Sequence, residues 1–508
     1  MEGENSATGG QKGENSFILG RTPGDSATED STGDSKRNRQ SQASEMSYTS
    51  DTKQLVELER KDDVLRGNIP MTSFNFINSI IGSGIIGVPY ALKQAGFVMG
   101  IFLLIITALL NDRSIILLVE AGKLSNTDSY QDMIMVACGR PGFYLLTLLQ
   151  FLYPLIAMIS YNVIIGDTVT KIIVRIGKAA NVGSTVLGNR QFIICLSTLM
   201  VTLPLSLYRN IAQLSKWAFL SIIMVFFILV TVCIRTTEFV REIPPTDDAW
   251  NFANYNIAQA IGIMAFAYMC HHNTFLIHGS LENPTHQRWS LVTHLSIGFS
   301  MTLMLILGIL GYVSFTGHTQ GDLLENYCHE DDLMNVSRFM FAFSIMLTYP
   351  IECFVTREVI ENAFFPSKDP SPAWRHLCVT IAVVLLTVAI SMTTDCLGIV
   401  LTFNGVMVAS PLAFIIPPVC VMKLREEPIL SKRNIIPIII ATFGTLVTAF
   451  GIIVAIINMS EGFSCSHGTE MAYCADSVAS ANTTISPLIS ANTTSQQPFV
   501  PTSTPSIG

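Results

Sequence analysis

The run Phe74-Asn75-Phe76-Ile77-Asn78-Ser79-Ile80-Ile81-Gly82-Ser83-Gly84-Ile85-Ile86-Gly87-Val88-Pro89-Tyr90 packs three glycines, a serine and a proline into eight residues of an apolar stretch. Glycine and proline are poor residues for a continuous helix. A helix unwound inside a bilayer leaves backbone N–H and C=O groups unpaired, at a cost of roughly several kcal/mol each. Such a break persists only where those groups meet a ligand, water or an ion. The N-terminus of the following half-helix offers free N–H groups and positive dipole to an anion such as a carboxylate. The freed carbonyls suit a hard cation. One short broken helix can therefore hold the carboxylate of a zwitterion and a sodium ion side by side. A plain helix contact over Gly-x-Gly is the simpler alternative. Asn78, Ser83 and Pro89 add polarity and a break that such a contact does not need.

Other residues bear on the same chemistry. Thr348 places a hydroxyl one turn from Ser344 and just before Pro350, which frees a carbonyl one turn earlier; a threonine bonding back to its own helix is the alternative. Phe266 and Tyr268 could line a side-chain pocket or simply pack. His271 and His272 could titrate near neutral pH, or sit hydrogen-bonded with no such role. Asp112 and Arg113 fall in the middle of an apolar span, an expensive place for charge. Neighbours on a helix point about 100° apart, so each calls for a partner on another helix or for water, as a structural pair or as a coupling element. Glu352 and Glu120 raise the same question. No spaced His, Cys and carboxylate set implies a metal beyond sodium. Walker A, HExxH, GxSxG and CxxC patterns are absent, so neither an enzyme nor a cofactor is expected.

The elements that must position these groups follow from composition. Of 508 residues, 49% are apolar and 13% charged, against about a quarter charged in soluble domains. Residues 1–68 hold 22 of the 68 charges and residues 460–508 hold 3, leaving 43 for the 391 residues between. Too few charges remain there to cover a water-soluble surface. The chain reads as an all-α polytopic membrane protein whose lipid-facing surface meets the bilayer, and no basic tract suggests nucleic acid. Eleven spans are expected, roughly at 72–94, 98–120, 142–170, 191–207, 212–234, 254–279, 291–315, 335–363, 376–394, 397–421 and 434–458. Residues 1–68 and 460–508 read as disordered tails.

With the N-terminus in the cytosol, eleven Lys and Arg fall on inner loops and seven on outer ones, among them Lys171, Arg190 and Arg338. The C-terminus is then extracytosolic, where the sequons at Asn335, Asn458, Asn482 and Asn492 would be glycosylated. Cys328, Cys465 and Cys474 face the oxidising side; Cys465–Cys474 is the simplest pairing, and Cys233 with Cys328 is another.

Spans one to five (69–234) and six to ten (254–421) have nearly equal length, joined by a loop at 235–253, with span eleven in 422–459. Five helices is an odd number, so the second set starts on the opposite side of the membrane, as an inverted repeat requires. Span six, as the mate of span one, should then also be broken, although it lacks a Gly-x-Gly.

The run Asn78–Gly87 resembles the first helix of the sodium-coupled neutral amino acid transporters, within the amino acid/auxin permease superfamily. Ser129-Tyr130-Gln131-Asp132, Phe266-Ala267-Tyr268-Met269-Cys270-His271 and Leu347-Thr348-Tyr349-Pro350 extend the resemblance over about residues 70–460. It implies a LeuT-like fold of 5+5 inverted repeats plus one helix, and symport of a small neutral amino acid such as glutamine or alanine with sodium. By resemblance, the substrate carboxylate lies on Ser83, Gly84 and Ile85. The cation lies on main-chain oxygens of Asn78 and Ile81 and the Thr348 hydroxyl, beside Ser344. A proton-coupled carrier using Asp112 or His271 and a non-transporting amino acid receptor are the rivals; no selectivity-filter sequence suggests a channel. The plasma membrane is the expected location, with the lysosomal membrane as the other.

Overall fold

Asn68 opens the first helix by accepting from the Met71 N–H at 3.1 Å, with Pro70 in the first turn, where its missing N–H costs nothing. The computed structural model describes residues 67–177, 186–208, 218–364, 372–394, 396–461 and 471–474. Helix Ile69–Ile80 stops at the extended residues Ile81 (φ −79°, ψ 96°) and Gly82 (φ −128°, ψ −153°). A 3-10 turn, Ser83–Gly87, and helix Val88–Ala95 complete span one at an angle of 53°. The Ile81 N–H makes the last helical bond, to Ile77 O at 2.8 Å. The carbonyls from Asn78 onward thereby lose their helical donors.

Span six is broken too. Helix Ile257–Ala267 ends, Tyr268–Cys270 are non-helical, and the chain resumes through the 3-10 turn His271–Asn273 into helix Thr274–Gly279. Side chains replace the missing glycines here. Asn111 donates to Tyr268 O at 3.0 Å and Thr274 to Cys270 O at 3.2 Å, satisfying carbonyls that the break frees. The two breaks cross at Gly84, where a Cβ would stand 2.7 Å from Ala267 Cα. A second tight crossing joins spans six and ten, since a Cβ on Gly405 would collide with Gly262 O. The entry to span one and the exit of span six are also tied, by Gly67 N–H to Ser280 O at 2.8 Å and Glu282 N–H to Gly67 O at 3.0 Å.

The remaining spans are Phe97–Ser125, Tyr130–Ile176, Arg190–Ser206, Ala218–Glu242, His286–Phe315, Asp332–Phe364, Ala373–Ser391, Leu397–Leu424 and Ile435–Glu461. Among the described residues nine helices are long and apolar enough to cross a bilayer, and span one is a bent pair. Eleven is reached only by counting the shorter Arg190–Ser206, which carries a π turn at Thr198–Thr202. Span three begins earlier than its hydropathy suggests and bends at Gly139 (φ 68°). Ser129-x-x-Asp132 caps it: Asp132 N–H donates to Ser129 Oγ at 3.0 Å, and Ser129 Oγ to the Asp132 carboxylate at 2.7 Å. Spans three and eight lie along one another.

Several charges assigned to outer loops are internal. Lys171 is buried in span three and pairs with Glu325 at 3.1 Å, while Arg190 pairs with Asp167. Arg338 is fully buried and donates to Leu324 O, Tyr327 O and Cys328 O. It also donates to Asn335 Oδ1 at 2.6 Å, and the Asn335 amide donates to His329 O at 2.8 Å. Asn335 is therefore a buried brace of the 322–331 loop and not an exposed sugar acceptor. Asn482, Asn492 and Cys465 lie outside the described residues, as does the side chain of Asn458. Cys474 bonds to Cys328, not to Cys465, because Tyr473 docks beside it: the Tyr473 hydroxyl donates to Asn326 O at 2.5 Å and its ring stacks on Phe315. Cys396 is disulfide-bonded as well, and Cys233 is a free thiol.

The crossing and the loop can each be tested. Gly84→Ala must push spans one and six apart, an overpacking cost of about 1–3 kcal/mol. Gly298→Ala, with nothing within 4 Å of its Cβ, should be neutral. Thermal unfolding of the purified chain and uptake assays should show loss in the first variant only. Burial and the neighbouring Glu325 push the Asp322 carboxyl in the 322–331 loop from 3.8 up to about 7. The folded chain thus holds this proton more tightly than the unfolded chain. The associated stability is complete below about pH 4 and is lost as pH rises through about 7. The unfolding temperature should fall between about pH 4 and pH 7, and Asp322→Asn should flatten that fall; an unchanged slope in the variant would assign it to other groups.

Candidate functional site

The unwound end of the first half-helix faces span eight across a cavity of about 40 Å³, room for about three waters or an ion. Asn78, Ile81, Gly82 and Ser83 line it from span one, Tyr161 from span three, Ser221 and Val225 from span five. Phe341, Ser344, Ile345, Leu347, Thr348 and Ile351 line it from span eight. All four residues expected at the cation, Asn78, Ile81, Ser344 and Thr348, thus meet around one space. Thr348 Oγ1 donates to Ser344 O at 2.9 Å, the back-bond expected of a helical threonine. That bond uses the proton and leaves the oxygen lone pairs free to accept or to ligate. Ser344 Oγ lies 2.8 Å from Ser221 Oγ. No charged side chain lines the cavity among the described residues; its polar side chains are Asn78, Ser83, Tyr161, Ser221, Ser344 and Thr348, set among apolar ones.

The expected carboxylate residues Ser83, Gly84 and Ile85 form the buried 3-10 turn on the other side of the break. Ser83 Oγ is 3.4 Å from Ser160 Oγ, and Ser83 and Tyr161 both line the cavity. Phe266 closes over Gly84 and its ring centroid lies 5.8 Å from that of Tyr153, which is 5.1 Å from the His272 ring. Tyr268 is fully buried and lies outside the cavity lining, as does Phe266. Tyr268 serves the span-six break through its carbonyl, whereas Phe266 stays at the crossing.

The three expected coupling residues are elsewhere. Asp112 is held by His294 Nδ1 of span seven at 2.7 Å. Arg113 is not a buried partner: its side chain is 58% exposed and stands 3.9 Å from Asp112, since adjacent helical positions point apart. His271 is fully buried with Nε2 3.2 Å from Ser114 Oγ. None of the three lines the cavity. Sequence reasoning missed Ser221, Tyr161 and Ser160. These are ordinary residues inside apolar helices, and only the crossing of spans three and five over the break gives them a role.

The comparisons with known proteins agree with this architecture. Residues 66–457 match the family model described as transmembrane amino acid transporter protein. A Danio rerio protein, provisionally named sodium-coupled neutral amino acid transporter 11, is 48% identical over 83% of this chain and 92% of its own. The Rattus norvegicus protein of the same provisional name is 49% identical over 82% and 90%. Vacuolar amino acid transporter 2 of Saccharomyces cerevisiae is 29% identical over 80% and 88%. Among solved structures, MhsT in complex with L-phenylalanine matches with a TM-score of 0.52 at 12% identity, over 76% of this chain and 98% of that one. A mutant of the Eremococcus coleocola manganese transporter matches with a TM-score of 0.52 at 13% identity, over 82% and 92%. These likenesses show a shared LeuT-like fold.

Proposed function

This chain belongs to the transmembrane amino acid transporter family, and from that premise we propose that it is a sodium-coupled symporter of small neutral amino acids. It is a multi-pass membrane transporter of amino acids and not an enzyme. In the proposed cycle, sodium sits in the cavity at the span-one break, on main-chain oxygens of Asn78 and Ile81 and the Thr348 hydroxyl, with Ser344 beside it. The substrate carboxylate lies on the N–H groups of Ser83, Gly84 and Ile85. Sodium favours the state that accepts substrate, and the two five-helix units then rock about the crossing at Gly84. The N-terminus is cytosolic and the amino acid moves into the cytosol, across the plasma membrane.

One observation carries this reading. Asn78 and Ile81 of span one and Ser344 and Thr348 of span eight line one cavity of about 40 Å³ where the helix of span one is interrupted. The names of the Danio rerio and Rattus norvegicus relatives support sodium as the coupling ion. Proton coupling through Asp112 or His271 has less support, because neither reaches that cavity.

The test is uptake of a labelled panel that includes glutamine and alanine into proteoliposomes, under an inward sodium gradient, an inward proton gradient or neither. Sodium should drive accumulation, and Thr348→Ala should weaken sodium dependence about tenfold or more, equivalent to ~1.4 kcal/mol. Accumulation driven by protons alone would contradict the reading. Amino acid binding without flux under any gradient would point to a receptor.

A further inference from the structure

Spans two and seven pack along one another, and both turn apolar side chains such as Leu109, Leu291 and Leu295 outward. Two polar side chains interrupt that lipid-facing surface. Arg113 of span two is 58% exposed and His294 of span seven is 45% exposed. They meet at Asp112, which is itself buried. His294 Nδ1 holds Asp112 Oδ1 at 2.7 Å. Arg113 Nε stands 3.9 Å from Asp112 Oδ2, too far for a hydrogen bond. No other acidic side chain pairs with Arg113 among the described residues, and none of them accepts a hydrogen bond from its guanidinium.

The two side chains share a depth as well as a face. Arg113 lies before the end of its helix at Ser125, and His294 lies after the start of its helix at His286. At 1.5 Å per residue these separations are roughly 18 Å and 12 Å. Four spans lie between the two helix ends, so both ends meet one side of the bilayer and both side chains lie in the half nearest it. An exposed guanidinium at that depth lacks water and a counter-charge of its own; intramembrane arginines ordinarily face a bundle interior or a water-filled cavity. A phosphate drawn in from the headgroup layer supplies the charge together with paired acceptor oxygens for the guanidinium fork. The leucines alongside meet acyl chains, which a soluble anion does not have. A net-anionic headgroup suits the site better than a choline one, whose own cation competes with Arg113 for the phosphate. We propose that this face binds one anionic phospholipid, with its phosphate on the Arg113 guanidinium and its acyl chains along spans two and seven. His294 positions the arginine by occupying Asp112, whose carboxylate would otherwise neutralise it. The site is separate from the cavity at the span-one break, which none of these residues lines, and it does not depend on the coupling ion.

The experiment is native mass spectrometry of the purified full-length chain, released from nanodiscs of phosphatidylcholine containing one-fifth phosphatidylserine. The wild type should retain one phosphatidylserine with a preference of about fivefold or more over phosphatidylcholine. Arg113→Gln should lose that preference. Lys123→Gln, which removes an exposed charge near the end of the same helix, should keep it. Should Arg113→Gln fail to fold, Arg113→Lys, which keeps the charge without the planar fork, should hold the lipid more weakly than the wild type. Millimolar inorganic phosphate should not displace the lipid. An undiminished preference in either Arg113 variant, or an equal loss in Lys123→Gln, would overturn the site. Displacement by inorganic phosphate would replace the lipid with a soluble anion. Retention of a second copy of the chain in place of lipid, abolished by Arg113→Gln, would replace it with a protein contact.

Discussion

A polypeptide cannot leave its backbone polar groups bare in hydrocarbon, yet this chain interrupts two of its spans where they cross. At Ile81–Gly82 and at Tyr268–Cys270 the helical ladder is open, and everything around those points serves to make the openings tolerable. Gly84 lets the two interruptions meet within backbone contact of Ala267. Asn111 and Thr274 answer the carbonyls of span six. On span one Asn78, Ile81, Gly82 and Ser83 line a small cavity, with Thr348 and Ser344 opposite. The two breaks differ: side chains answer carbonyls at the one in span six, and the one in span one borders a cavity.

Charge is distributed by the same rule. Lys171 with Glu325, Arg190 with Asp167 and Asp112 with His294 place ionisable groups against partners, as a low-dielectric interior requires. Arg338 directs its guanidinium to the carbonyls of the 322–331 loop and so ties that loop to span eight. The Cys328–Cys474 disulfide and Tyr473 pin the segment after span eleven to the same loop.

The broken first span was legible because Gly82-Ser83-Gly84 and Pro89 violate helix chemistry inside an apolar run. The break in span six was expected only through the repeat, since Asn111, a residue of span two, supplies what glycine would have supplied. Thr348, whose place before Pro350 fits a back-bonded threonine equally well, is marked for the cation by the resemblance, whereas Ser221 carries no local mark at all. The disulfide was misassigned because nearness along the chain favours Cys465 for Cys474, while the docking of Tyr473 decides for Cys328. Of the two expectations for Asp112 and Arg113, a partner on another helix or water, Asp112 takes the first through His294, and the helical phase of Arg113 turns it outward. Residue type announced where the backbone is abnormal. Pairings between distant helices needed the fold.

If the open carbonyls of span one and the N–H groups just past the break hold a cation and a carboxylate at once, the two ligands must stabilise one another, and by linkage each must tighten the other equally. The direct measurement is equilibrium binding of labelled sodium and of a labelled neutral amino acid to the purified chain, each titrated with and without the other. The account predicts reciprocal gains in affinity of equal factor. Saturable amino acid binding that is indifferent to sodium would contradict it.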